Sequence, residues 1–239
     1  MLGGRAYSPA SGEMPMVLIS DGTSYCHGVL VADAAVVSPA SCVEGFSVAV
    51  EKGASVDVYV DVSRISKERV DSSEVSAVSS INIHPSYNSS TFDHNIAVLM
   101  LGKSVVQAPA TMPSSSPDID GATLDAYSFF EGKPASFAGA MVNQVFLGKA
   151  AGEKDPAGSF PIVISESEAP GQYSTVFDPK GVFVGFTFSQ TVVASVDLVL
   201  NVFSYSEFIQ ETIADPGASK STVSAKGASG AAAIEEAIP

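Results

Sequence analysis

An all-β fold is what this chain predicts, on three observations. Val56, Val58, Val60 and Val62 alternate with Asp57, Tyr59 and Asp61, the two-residue period of a strand with one buried and one wet face. Short β-rich runs of the same kind recur along the chain with turn residues between them. The third observation is capacity: 239 residues, 46% hydrophobic and 16% charged, suffice for one large all-β domain or two small barrels sharing a core.

In chain order, strands are predicted at 16–20, 25–31, 35–38, the valine alternation at 56–62, 75–83 and 96–101. Residues 108–121 then hold three prolines, three consecutive serines and two aspartates. Proline has no N–H to give to a ladder, so this segment reads as a linker between two lobes. A second strand set follows at 122–130, 138–147, 160–165, 174–177, 182–188 and 191–202. One helix is predicted, at 205–213, where Phe208, Ile209, Thr212 and Ile213 share a face. Residues 214–239 turn Ala/Ser/Gly-rich without aromatics, the composition of a flexible tail.

Twelve Lys+Arg against 26 Asp+Glu give a net charge of -14, a field that repels phosphate backbones and anionic lipid surfaces. Nucleic acid and membrane are therefore not expected as partners, and no run of 18 apolar residues suggests a span. Met1-Leu2-Gly3-Gly4-Arg5 lacks the features of a secretory leader, which leaves a mature form or a cytosolic chain. The two cysteines, Cys26 and Cys42, are either buried thiols or one bridge. Asn88-Ser89-Ser90 fits a glycosylation acceptor.

Other constellations read as ordinary surface. Of the three histidines, His27, His84 and His94, the last two flank Asp93 at a ten-residue spacing, but without cysteine or further histidine this is no metal site. Glu166 and Glu168 read as a solvated strand edge rather than a glycosidase pair. No phosphate-cradling glycine loop is visible, and no cofactor is expected.

Several segments carry a resemblance, in consistent order: Leu2-Gly3-Gly4 with Gly12 and Pro15; Tyr25-Cys26-His27-Gly28 through Pro39-Ala40-Ser41-Cys42; His84-Pro85-Ser86-Tyr87-Asn88; Asp93-His94-Asn95-Ile96-Ala97-Val98-Leu99; Gly181-Val182-Phe183-Val184-Gly185; and the closing 202–213 stretch, with Phe208 where a tryptophan is usual. Together they resemble the chymotrypsin/trypsin-like serine proteases. The resemblance implies two packed six-stranded antiparallel β-barrels with a C-terminal helix over residues 1–213, the linker near 108–121 and the tail at 214–239. It also implies a Cys26–Cys42 bridge, whose sixteen-residue loop removes unfolded-state entropy worth roughly 3 kcal/mol.

Family chemistry needs a hydroxyl nucleophile, an imidazole to take its proton and a carboxylate to orient the imidazole. On the resemblance, Ser41 stands in the histidine position, Asn95 in the aspartate position and Pro170 nearest the nucleophile, within Glu168-Ala169-Pro170-Gly171-Gln172-Tyr173. A serine hydroxyl titrates far above neutral pH, and Asn95 keeps the carboxylate's shape without its charge. Asp93 and His94 neighbour Asn95, but adjacent strand residues face opposite ways, so neither replaces it. Ala169 lacks the carboxylate that would receive a freed amino terminus, and Gln190, after Phe188-Ser189, would crowd the specificity pocket.

The expectation is a secreted, extracellular, inactive homologue that binds another protein through loops once used for substrate. Among trypsin-like homologues the pattern of losses most resembles the oomycete glucanase inhibitor proteins, which bind plant endo-β-1,3-glucanases in the apoplast. Two alternatives stand beside it: a repurposed hydrolase using Ser41, Ser167 or Ser174, and a structural or adhesion module in which tail and acidic surface matter most.

Overall fold

The computed structural model describes residues 15–65, 70–116, 123–127, 143–146, 159–164, 174–178, 180–188 and 196–216. The first six strands are β1 (Met16–Ser20), β2 (Tyr25–Ala32), β3 (Ala35–Ser38), β4 (Asp57–Ile65), β5 (Val70–Ile83) and β6 (Ala97–Leu101). They form a closed antiparallel barrel in the order β1-β2-β3-β6-β5-β4, with β4 returning to β1. The valine alternation behaves as its period requires: Val56, Val58 and Val60 are buried, while Asp57 and Tyr59 between them are only partly covered. It ends at a bulge beyond Val62, next to Asp61 with φ 51.

Every residue of β1, β3 and β6 is buried, because both faces of these strands are covered. Val17, Ile19, Leu30, Val36, Val58 and Leu99 fill the barrel interior. Their alternates Met16, Val29, Val37, Val98 and Met100 point outward into a second core, where they meet Tyr127, Phe177, Phe183, Phe186 and Leu200 from the later half of the chain. Four of those rings form a contact chain: Tyr127–Phe177 and Phe177–Phe183 at 5.7 Å, and Phe183–Phe186 edge to face at 5.1 Å.

The later strands are β7 (Thr123–Tyr127), β8 (Asn143–Phe146), β9 (Ser159–Ile164), β10 (Thr175–Phe177), β11 (Phe183–Phe188) and β12 (Val196–Asn201). They pair antiparallel in the order β10-β11-β12-β9-β8-β7. The described part of the linker runs between the two strand sets and is pinned to both. Ala110 N–H donates to the Leu30 carbonyl at 2.8 Å, and Thr111 accepts from Phe183 N–H at 3.0 Å.

After β12 comes a 3-10 turn, Val202–Tyr205, and then α2 (Ser206–Ala214). The expected helix is therefore present, with Tyr205 at its N-cap and Ile209 and Thr212 buried. A second helix, α1 (Ala40–Glu51), corrects the expectation of a single one. The valines at 43, 48 and 50 and the glycine at 45 disfavour a helix by propensity. Tertiary burial overrides them: Ala40, Val43 and Phe46, three apart, face the barrel core. Residues 1–14, 117–121, Glu166, Ser167, Glu168, Ala169, Pro170, Gln172, Ser189, Gln190 and 217–239 lie outside the described residues.

Candidate functional site

The site is built where β3 runs into α1. Pro39, with φ -59, starts the helix but offers no capping side chain, so the first N–H groups of α1 need acceptors from elsewhere. Asn95 supplies two. Its backbone oxygen accepts from Ala40 N–H at 3.3 Å, and its Oδ1 accepts from Ser41 N–H at 2.7 Å. Because Ser41 N–H is a donor, the amide oxygen must face it, which fixes Nδ2 on the opposite side. Asn95 is wholly buried, and Nδ2 has no hydrogen-bond partner among the described residues.

Covalent and steric restraints hold the other partner. Cys42, next to Ser41, is disulfide-bonded to Cys26 on β2 with Cα atoms 5.8 Å apart, which ties the first turn of α1 to the barrel wall. Ala40, on the other flank, is fully buried. Ser41 itself is half-buried.

Asn95 is not a strand residue, which corrects the expectation that strand alternation separates it from Asp93 and His94. It closes a turn in which Phe92 and His94 have φ 57 and 53, and Ile96 N–H donates back to the His94 carbonyl at 2.7 Å. Two non-glycine residues in the left-handed region cost of order 1–2 kcal/mol each. The surroundings hold them there. The His94 ring stacks on His84 at 4.7 Å with planes 8° apart, and Tyr205 and Phe208 meet His84 edge-on at 5.5 and 4.9 Å. Parallel stacked rings are a packing arrangement; they do not converge their nitrogens on a common point.

This aromatic cluster locks the Asn95 turn against α2 and shifts its titrating groups. Burial, and secondarily the neighbouring His94, lowers the pKa of His84 below the usual histidine value. Burial, with a smaller contribution from Asp93, pushes the Tyr205 phenol up to about 12. Across the turn, Asn88 is exposed, and its Oδ1 accepts from Ser90 N–H at 2.9 Å and Thr91 N–H at 3.3 Å.

Thus Ser41 and Asn95, 54 positions apart, are brought together, while Pro170 lies outside the described residues. Ser174, one of the serines considered for hydrolysis, is fully buried, with its N–H donating to Thr187 Oγ1 at 2.8 Å. The groups that meet here are the Ser41 backbone N–H and the Asn95 carboxamide, and neither of these nor the Ser41 hydroxyl takes up or releases a proton near neutral pH. The family model for Trypsin matches residues 1–128, more than half of the chain and the part that contains both Ser41 and Asn95. This chain belongs to the trypsin family. Among curated proteins none matches it significantly. A trypsin-family domain stapled by Cys26–Cys42 is compatible with a secreted protein.

Sequence reasoning missed two features of the site: Asn95 as the acceptor for the start of α1, and the stacked histidines behind it. The three-residue spacing of Ala40, Val43 and Phe46 after Pro39 signals the helix. No pattern along the chain signals the stack, since its members come from three separate segments.

Proposed function

We propose that this trypsin-family chain is a catalytically inactive homologue that acts outside the cell by binding another protein, through loops carried on a complete double barrel. The observation that carries this reading is the 2.7 Å bond between Ser41 N–H and Asn95 Oδ1. It supports the residue assignments made from the resemblance, because a base and the group that orients it must be neighbours. With Ser41 and Asn95 in those places, neither an imidazole to accept the nucleophile's proton nor a carboxylate to stabilise an imidazolium is supplied. Pro170, assigned nearest the nucleophile, carries no hydroxyl or thiol. The order of pairing of β7–β12 supports reading the later strands as the second barrel.

Loops on a rigid scaffold keep their shape when chemistry is lost, so binding outlives catalysis. The partner class proposed is a secreted plant endo-β-1,3-glucanase, on the similarity of the substitution pattern to the oomycete glucanase inhibitor proteins. Purified protein is expected to leave peptide substrates uncleaved, to resist fluorophosphonate labelling, and to retain and inhibit a glucanase from plant extracellular fluid. Stoichiometric labelling of one serine with peptide hydrolysis would overturn inactivity. Absence of retention together with uninhibited glucan hydrolysis would eliminate the partner class.

A further inference from the structure

We propose that Asn88 is an N-glycosylation site, and that its glycan stands on the same turn that delivers Asn95 to α1. Asn88-Ser89-Ser90 is the chain's single Asn-x-Ser/Thr sequence; its middle residue is not proline, and neither is Thr91 after it. Such tripeptides arise often by chance, and a glycan added to the unfolded chain is kept through folding only where the folded surface leaves room for it. Here Asn88, Ser89, Ser90 and Thr91 are all exposed.

The local geometry of the folded chain leaves the modified atom on the outside. Asn88 Oδ1 is held by the N–H groups of Ser90 and Thr91 at 2.9 and 3.3 Å, an Asx turn built over the hydroxyl-bearing residue. Since the carboxamide is planar, fixing Oδ1 toward the backbone turns Nδ2 away from it. The turn is closed from behind by Asn88 N–H to the Asp93 carbonyl at 3.0 Å and Phe92 N–H to the Asn88 carbonyl at 2.7 Å. No core side chain has to move to make room for a sugar.

A second, independent feature points to the compartment where the transfer takes place. Both cysteines of the chain are joined in Cys26–Cys42, and disulfides of this kind form and persist in an oxidising compartment. The transfer forms a bond from Asn88 Nδ2 to the anomeric carbon of the first N-acetylglucosamine of a lipid-pyrophosphate-linked oligosaccharide. The bond from that carbon to the phosphate oxygen breaks, the lipid pyrophosphate leaves with its electron pair, and one amide proton passes to a base of the transferase.

Placement gives the glycan a consequence. Asp93, whose carbonyl holds the Asn88 backbone, lies two residues before Asn95, no more than about 7 Å of extended chain. The sugar is therefore carried on the same turn that ends at Asn95.

The test directs the full chain into the secretory pathway of a eukaryotic host, with intact mass and peptide mapping before and after peptide-N-glycosidase. Both secreted and cell-associated chains are read, because transfer precedes folding. Wild type and Ser90→Thr are expected to carry an oligosaccharide whose release leaves aspartate at position 88. Asn88→Gln and Ser90→Ala are expected to lose it, and Ser90→Ala leaves the Asn88 side chain in place. An unmodified Asn88 in wild-type chains would overturn the proposal. So would a sugar that resists the amidase and persists in Asn88→Gln, which would place it on a hydroxyl.

Discussion

The backbone N–H of Ser41 donates to Oδ1 of Asn95 at 2.7 Å, so the side chain that closes the first turn of α1 comes from 54 positions further along the chain. Asn95 thereby serves the fold whatever its role in chemistry. An amide does this without placing a charge in a wholly buried position.

Removing that side chain tests its structural share. Asn95→Ala is expected to lower stability by roughly 0.5–2 kcal/mol, the range for loss of a helix cap. Asn95→Asp keeps the acceptor and favours the helix dipole, but it buries a carboxylate whose second oxygen has no partner, and desolvation wins. Its destabilisation is expected at neutral pH and to fade on acidification, as the carboxyl becomes neutral. Adding Ser41→His should recover part of the loss, with a coupling of about 0.5–3 kcal/mol in a double-mutant cycle followed by urea denaturation. Independent, additive effects of the two changes would contradict this geometry.

The Cys26–Cys42 bridge holds the other side of the same turn. Its replacement by a pair of serines is expected to cost about 2–4 kcal/mol, observed as a lower denaturation midpoint with the strand content unchanged by circular dichroism.

His84 makes the fold acid-sensitive. The groups that face it are His94 in the stack, Tyr205 and Phe208 from the C-terminal segment, and the Ser86 N–H, which donates to its Nδ1 at 3.2 Å. Its pKa is lowered in the folded state, so the neutral form is the stable one. The contribution is complete above the ordinary histidine value of about 6.5 and declines as pH falls through it toward the lowered folded value. His84→Phe keeps an aromatic ring and is expected to flatten this acid limb in denaturation midpoints taken across that range.

The alkaline side has its own group. Burial pushes the Tyr205 phenol up to about 12 in the folded chain, so its stability contribution is complete below the ordinary tyrosine value of about 10 and is lost as pH rises from there toward the raised folded value. Tyr205→Phe is expected to remove one late-titrating phenolate from the ultraviolet difference spectrum and to reduce the alkaline loss.

Gly28 tests the packing of β2 on β3. A Cβ there would lie 2.5 Å from Val36 Cγ1 and 2.8 Å from the Val37 carbonyl oxygen, and the oxygen cannot move without breaking the sheet. Gly28→Ala is expected to cost roughly 1–3 kcal/mol by denaturant unfolding, as overpacked cores do.

Much of this protein is written locally. The alternation from Val56 to Val62 marks β4, the short apolar runs mark β1, β3 and β6, and the face made by Ile209 and Thr212 marks α2, because side-chain period and burial are properties of neighbouring residues. The residues assigned to the site, Ser41 and Asn95, were legible through their flanking motifs, and the family match over residues 1–128 covers both. Three things were decided only by the folded chain. Helix α1 forms against its own propensities because Val43 and Phe46 find a core to enter; Asn95 caps that helix because barrel closure sets β6 beside β3; and His84 and His94 stack because α2 seals them from behind. In each case the partners are far apart along the chain, and the favourable energy exists only once burial has brought them within contact distance.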